Sequence, residues 1–276
     1  MKTTTIAFIG GGNMARSLIG GLIADGCDPQ SIWVADPDPA KLRALHEQFA
    51  VATTADNRQA AARAGVVVLA VKPQVLHEAA GGLAATVRQQ RPLVVSIAAG
   101  VREPDLRRWL GGETPLVRAM PNTPALVGSG ATALFANPWV SPVQRQTAES
   151  ILRAVGLTIW VEDEALLDAV TALSGSGPAY FFLVMEALEQ AGLDLGLNPQ
   201  TARLLTLQTA FGAAKMALES SDSSAVLRQR VTSPGGTTER AVAVLRQGGL
   251  EALFGQALQA ACQRSRELGD LLGEKQ

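Results

Sequence analysis

The stretch "IAFIGGGNMARSLIGGLIADG", residues 6–26, decides the fold. Four apolar residues run into three glycines, Gly10, Gly11 and Gly12, and behind them Asn13, Met14 and Ala15 open a segment with apolar residues at helical spacing. Gly10, Gly12 and Ala15 form a GxGxxA pattern between a strand and a helix, the context a dinucleotide site needs. Gly10 makes a tight turn, Gly12 lets backbone approach a pyrophosphate, and Ala15 lets the helix pack closely on the strand, with the phosphates at the positive end of the helix. The next strand-like piece, "SIWVAD" (31–36), ends in Asp36, where a carboxylate hydrogen-bonds the adenosine ribose and repels a 2′-phosphate. That chemistry favours NAD. Lys41 and Arg43 follow on the next helix, within reach of a 2′-phosphate if the loop carries Asp36 aside, so NADP stays open.

Outward from this stretch, β-branched runs alternate with helical segments as far as about residue 162. "VVVLAV" (66–71), "PLVVSIAAG" (92–100) and "PLVRAMPN" (115–122) are apolar almost throughout, as parallel strands buried on both faces are. Helical segments separate them, which predicts a Rossmann-type, doubly wound, mostly parallel sheet. "GATALFAN" (130–137) and "GLTIWVED" (156–163) should extend it. Ligands of such sheets lie at the carboxyl ends of the strands, which adds Val71, Lys72, Ala98 and Ala99 to the cofactor site, although Lys72 reads equally well as a solvated lysine at a strand end.

After residue 162 the strand signals stop, and alanine- and leucine-rich helical segments fill the rest. The expected organisation is a dinucleotide-binding domain over 1–162 and an all-α domain over 163–276. "GPAYFFLVMEAL" (177–188) has apolar residues around most of its circumference, and a domain of this size has few places to bury such helices, so dimerisation through it is expected.

Composition narrows the partners. Twenty-four basic and 25 acidic residues are spread along the 276, which argues against nucleic acid and for small molecules. No apolar run reaches the length of a membrane span and nothing resembles a signal peptide, so a cytoplasmic location is expected. Cys27 and Cys262 have no metal or redox spacing, and His46 and His77, each in a helical segment, read as ordinary surface or half-buried histidines. No metal site is expected, and the chemistry must proceed without imidazole.

A second glycine loop, "RVTSPGGTTERAV" (230–242), precedes a helix in the all-α part. Gly235 and Gly236 let backbone pass close to an anion, and Thr237 and Thr238 follow.

Together "IGGGNMA", "AVKPQ", "VVSIAAGV", "VRAMPNTPALVG", "DAVTALSGSGPAY", "GAAKMALES" and "VTSPGGTTERAV" resemble, in order and spacing, the pyrroline-5-carboxylate reductases. "SGSGPAY" and "SPGGTT" are far more specific than the glycine fingerprint. The resemblance implies hydride transfer from NADPH to the cyclic imine 1-pyrroline-5-carboxylate, the last step of proline synthesis. It also implies a helical domain that interlocks with a second subunit and, in many members, a ring of dimers. By position it puts Gly10, Gly11, Gly12, Asn13 and Met14 at the phosphates, Asp36 and Asn57 at the adenosine end, Val71, Lys72, Ala98 and Ala99 along the cofactor, and Asn122 beside the nicotinamide. The substrate would meet Gly235, Gly236, Thr237 and Thr238, with Ser176 and Pro178 as its wall. In one departure, family members often carry serine or another neutral residue at the position of Asp36, which weakens the usual NADPH preference.

The chemistry fits these residues. An imine nitrogen is basic and can arrive protonated, so orientation and one hydrogen-bond partner suffice. Thr238 is the candidate catalytic partner, with backbone N–H groups around Gly236 and Thr237 for the carboxylate. The alternative is that Thr238, Thr237 or Ser233 merely caps the helix. A β-hydroxyacid dehydrogenase-like enzyme would need a lysine with an asparagine one turn on. No KxxxN occurs, and Lys215 has Glu219 at that spacing. A non-catalytic dinucleotide-binding regulator is the remaining alternative.

Overall fold

The computed structural model describes residues 4–274. The elements in chain order are β1 (Ile6–Ile9), α1 (Asn13–Ala24), β2 (Ile32–Ala35), α2 (Pro39–Phe49), β3 (Ala52–Thr54), α3 (Asn57–Ala61), β4 (Val66–Leu69), α4 (Pro73–Gln90), β5 (Leu93–Ser96), α5 (Glu103–Trp109), β6 (Leu116–Met120), β7 (Gly130–Ala136), α6 (Pro142–Arg153) and β8 (Gly156–Trp160). Helices α7 (Leu166–Val170), α8 (Gly177–Asp194), α9 (Pro199–Glu219), α10 (Ser224–Arg230), α11 (Thr237–Gln247) and α12 (Leu250–Gly273) complete it. A π-helical turn, Thr171–Gly175, separates α7 from α8.

One sheet has the order β3-β2-β1-β4-β5-β6-β7-β8. The first six of these strands are parallel, β7 pairs antiparallel with β6, and β8 runs parallel to β7. This is the doubly wound, mostly parallel sheet expected from the sequence. Alternation along β1 explains the layers. Ile6 and Phe8 point to a core completed by Leu18, Ile19 and Leu22 of α1 and Ile151 and Leu152 of α6. Ala7 and Ile9 point to the opposite core, with Leu76, Leu83 and Val87 of α4 and Leu106 and Trp109 of α5.

Local rules set the helix starts. Asp38 and Asn198 cap α2 and α9 with their side chains, each ahead of a proline at the first helical position. Ser141 and Gln144 form a capping box at α6. Strand β3 and helix α3 were not expected. The strand is three half-buried residues with no alternation to betray it, held by its register against β2.

Two compact units result. One runs to Ser176 and takes up the chain again from Ala260, and the other is Gly177–Gln259. Strands end where the sequence pattern changes, after β8, but compactness divides the chain later. The reason is packing: α7 contacts β7, and the last turns of α12 join the sheet-bearing unit. There Arg102 pairs with Asp270 at 2.7 Å and donates to the Arg266 carbonyl, Arg108 donates to the Gly273 carbonyl, and Ser265 donates to Asp168 at 2.6 Å. Leu272 enters the second core.

The unit Gly177–Gln259 is all helix. Within the single chain Phe181, Phe182 and Leu183 are 68%, 64% and 65% exposed, and Leu204, Leu205 and Phe211 of α9 are also exposed. Among the described residues no helix is long and apolar enough to cross a membrane.

Candidate functional site

The first glycine loop is shaped by contacts that act differently on each glycine. Gly10 has φ +103°, and a Cβ there would lie 2.7 Å from the Ala70 carbonyl oxygen and 3.0 Å from Val71 Cγ1. Its N–H donates to the Ala35 carbonyl at 2.7 Å, which locks the turn to the end of β2. A Cβ at Gly11 would meet Leu45 Cδ1 at 2.9 Å. At Gly12 nothing lies within 4 Å, so the backbone faces open space. Gly12 is also the N-cap of α1, and no side chain caps that helix. The first-turn N–H groups of a 12-residue helix are therefore left for an outside acceptor, beside the open Gly12 backbone. These residues fit a dinucleotide pyrophosphate.

Asp36 is 5% exposed, and both its oxygens are engaged. Oδ2 accepts from the Gly11 N–H at 2.8 Å, Oδ1 accepts from the Asp38 N–H at 2.9 Å, and Lys41 Nζ lies 3.4 Å from Oδ2. The carboxylate thus anchors the glycine loop, a role the sequence reading missed, and Lys41 offsets part of its charge. Asn57 begins α3, whose cap is Asp56, and is half-buried. Val71 is half-buried and Lys72 exposed at the start of α4, while Ala98 is buried and Ala99 exposed after β5. All follow carboxyl ends of neighbouring parallel strands. Asn13 is exposed, and Met14 packs partly into the core below the loop.

Asn122 follows β6. Its Nδ2 donates to the Ser174 carbonyl at 3.0 Å, and its Oδ1 accepts from the Ala131 N–H at 2.9 Å. Both ends of the side chain expected beside the nicotinamide are thus tied to protein backbone. Ser176 lies one residue past the π-helical turn, and its N–H donates to the Thr171 carbonyl at 2.8 Å.

In the helical unit, Gly236 is the N-cap of α11, and no side chain caps it. Thr237 and Thr238 are the first two helical residues, so neither threonine nor Ser233 is the cap, and that alternative is corrected. Gly235 has φ +72°, a conformation that favours glycine, with nothing within 4 Å of a Cβ there. Its N–H donates to Glu239 Oε2 at 2.7 Å, and the Gly236 N–H donates to the Ser233 carbonyl at 3.0 Å. This corrects the donor assignment, because the Gly236 N–H is used within the loop. The N–H groups left for an anion are those of the first turn of α11. Glu239 was overlooked although an acid at the third helical position after a cap is itself a sequence signal. Pro178 is half-buried near the start of α8.

Among the described residues the rival reading finds no lysine with an asparagine partner one turn on. Lys215 is exposed and pairs with Glu219 at 3.8 Å along α9. His46 Nδ1 bonds the Val51 carbonyl, and His77 packs edge-on against Trp109. Among the described residues no cluster of three His, Cys, Asp or Glu side chains is arranged to hold a metal ion.

Comparison with known proteins identifies the family. A family model described as pyrroline-5-carboxylate reductase dimerisation matches residues 164–268, and one described as NADP oxidoreductase, coenzyme F420-dependent, matches residues 5–100. A pyrroline-5-carboxylate reductase of Pseudomonas aeruginosa is 52% identical over 99% of this chain and 100% of its own. The structure of a pyrroline-5-carboxylate reductase from Coxiella burnetii is 53% identical, with TM-score 0.94 over 97% of this chain and 99% of that one. The Plasmodium falciparum pyrroline carboxylate reductase, solved with NADP bound, is 27% identical, with TM-score 0.86 over 98% of this chain and 99% of that one. With that identity across nearly its whole length, the chain belongs to the pyrroline-5-carboxylate reductase family.

Proposed function

We propose that this chain reduces 1-pyrroline-5-carboxylate to L-proline with a hydride from NADPH or NADH. In a member of this family, the observation that carries the reading is the pair of glycine-led, uncapped helix N-termini, Gly12 before α1 and Gly236 before α11. Each offers backbone N–H groups to an anion, and the two ligands of the reaction each carry one.

The cofactor site consists of Gly10, Gly11, Gly12, Asn13 and Met14 for the phosphates, Asp36 and Asn57 at the adenosine end, and Val71, Lys72, Ala98 and Ala99 towards the nicotinamide. A reduced nicotinamide bound there supplies a hydride. The first-turn amides of α11 hold the substrate carboxylate, Gly235 and Gly236 keep the loop clear of side chains, and Ser176 and Pro178 form the wall. The Thr238 hydroxyl meets the ring nitrogen. One proton with two electrons arrives at the imine carbon, C2 of the pyrroline ring, on the far side of the nitrogen from the carboxylate-bearing C5; the C2–N double bond becomes single, and the nitrogen keeps the proton it carried as an iminium. Thr238 therefore needs only to orient and stabilise that N–H, without acting as a strong acid.

Residues 163–276 serve as the dimerisation and substrate domain, and the exposed faces of α8 and α9 are covered by a second copy of the chain, with rings of dimers as the larger assembly. The location that fits is the cytoplasm.

The direct test is spectrophotometric. NADPH or NADH should be oxidised only when pyrroline-5-carboxylate is present. The absence of oxidation with both cofactors would exclude the activity and leave the regulator.

Cofactor choice has its own test. Asp36→Ser removes the carboxylate that repels a 2′-phosphate, and Lys41 stays nearby. The ratio of kcat/KM for NADPH to that for NADH should rise on the order of tenfold, about 1.4 kcal/mol. An unchanged ratio would mean that Asp36 serves the glycine loop alone.

A further inference from the structure

The segment "LSGSGPAY" (173–180) contains an unusual piece of backbone. Its π-helical turn, Thr171–Gly175, bonds the Ser176 N–H to the carbonyl five residues back, at Thr171. A regular helix would pair the Ser174 carbonyl with the N–H of residue 178, but that residue is proline and has none. The carbonyl needs another donor, because an unpaired backbone group away from water is costly. Asn122 Nδ2 supplies it at 3.0 Å.

Three further observations fix the reach of that contact. Asn122 precedes a short 3-10 turn, Thr123–Val127, in the position where asparagine usually caps, yet its side chain makes no capping bond. Its Oδ1 instead holds the Ala131 N–H at the start of β7. A Cβ at Gly175 would collide with Cε of Met120, the last residue of β6, so the turn is seated against the strand that precedes Asn122. Thr171 and Ser174 use their hydroxyls on the Leu167 and Val170 carbonyls, which leaves neither of them to replace Asn122.

We infer that Asn122 is a positioning residue for the substrate wall: by satisfying the carbonyl that Pro178 orphans, it fixes the π-helical turn, and with it Ser176, to the carboxyl end of β6. The assignment rests on the proposed function, since it takes Ser176 and Pro178 as the wall. It differs from the role expected of Asn122 at the cofactor. Its amide acts on the imine site, and the dinucleotide binds whether or not the amide is present.

Two variants separate these roles. Asn122→Ala removes both bonds, and Asn122→Asp keeps the acceptor for Ala131 while turning an oxygen towards the Ser174 carbonyl. Both should bind NADPH, by fluorescence titration, within about twofold of the unaltered protein, while kcat/KM for pyrroline-5-carboxylate falls tenfold to roughly a hundredfold, as small misplacements of positioning groups do. The Asp variant guards against a general loss of folding at β7, because that junction keeps its bond. NADPH affinity weakened in parallel with kcat/KM would overturn the assignment in favour of a cofactor contact, and so would undiminished imine turnover in the Asp variant. An unaltered protein that oxidises neither cofactor would instead remove the proposed function on which the assignment rests.

Discussion

Thr238→Ala should lower kcat by tenfold to a thousandfold, the range for losing a hydrogen-bonding group at a reacting centre. The folded protein should be otherwise unaltered. The N-cap of α11 is Gly236, so removing the Thr238 hydroxyl takes no cap from the helix. The thermal midpoint and the NADPH dissociation constant should therefore hold. Thr238→Ser, which keeps the hydroxyl, should recover most of the rate. Full activity in the alanine variant would take the catalytic role from Thr238 and leave the imine nitrogen to solvent.

The second large effect comes from contrasting two neighbouring glycines. Gly12 has φ −75° and ψ −176°, which any residue can adopt, and nothing lies within 4 Å of a Cβ there. Gly12→Val should then fold with little change in stability but fill the space where a pyrophosphate meets backbone. Losing one or two charge-assisted hydrogen bonds, at about 1.5–3 kcal/mol each, weakens NADPH binding on the order of a hundredfold. Gly10→Ala should do the reverse. Its φ of +103° and the 2.7 Å approach to the Ala70 carbonyl make any side chain strained and crowded. Backbone strain of about 1–3 kcal/mol, with overlap added, should lower the thermal midpoint by roughly 5–15 °C. Fluorescence titration and thermal unfolding of both variants check the pair. Equal NADPH affinity in Gly12→Val and the unaltered protein would move the phosphates elsewhere.

What the sequence revealed was what local chemistry controls. Strands β1, β4 and β5 are buried runs of four residues, and the glycine loop is a contiguous signal, so the sheet and its cradle could be read directly. The start of α11 was half legible: the glycines announced the loop, but the bond to Glu239 from the N–H of Gly235, one residue ahead of the cap, and hence which N–H groups remain for an anion, depends on three-dimensional bonding within the loop. The anchoring of Gly11 by Asp36 spans 25 residues, and the tie from Asn122 to Ser174 spans 52. Neither has a periodic pattern, because each depends on where two distant backbones happen to meet. The short β3 was missed because three residues carry too little alternation to distinguish a strand from a connection.

The packing of the last turns of α12 has a consequence for the order of synthesis. Arg102 reaches the Arg266 carbonyl across 164 residues of chain, and Leu272 sits in the core beneath the sheet. Domains usually fold as they emerge from the ribosome, amino-terminal one first. Here the sheet-bearing unit lacks one of its own pieces until the entire helical unit has been translated. Its final locking therefore waits for the last turns of α12.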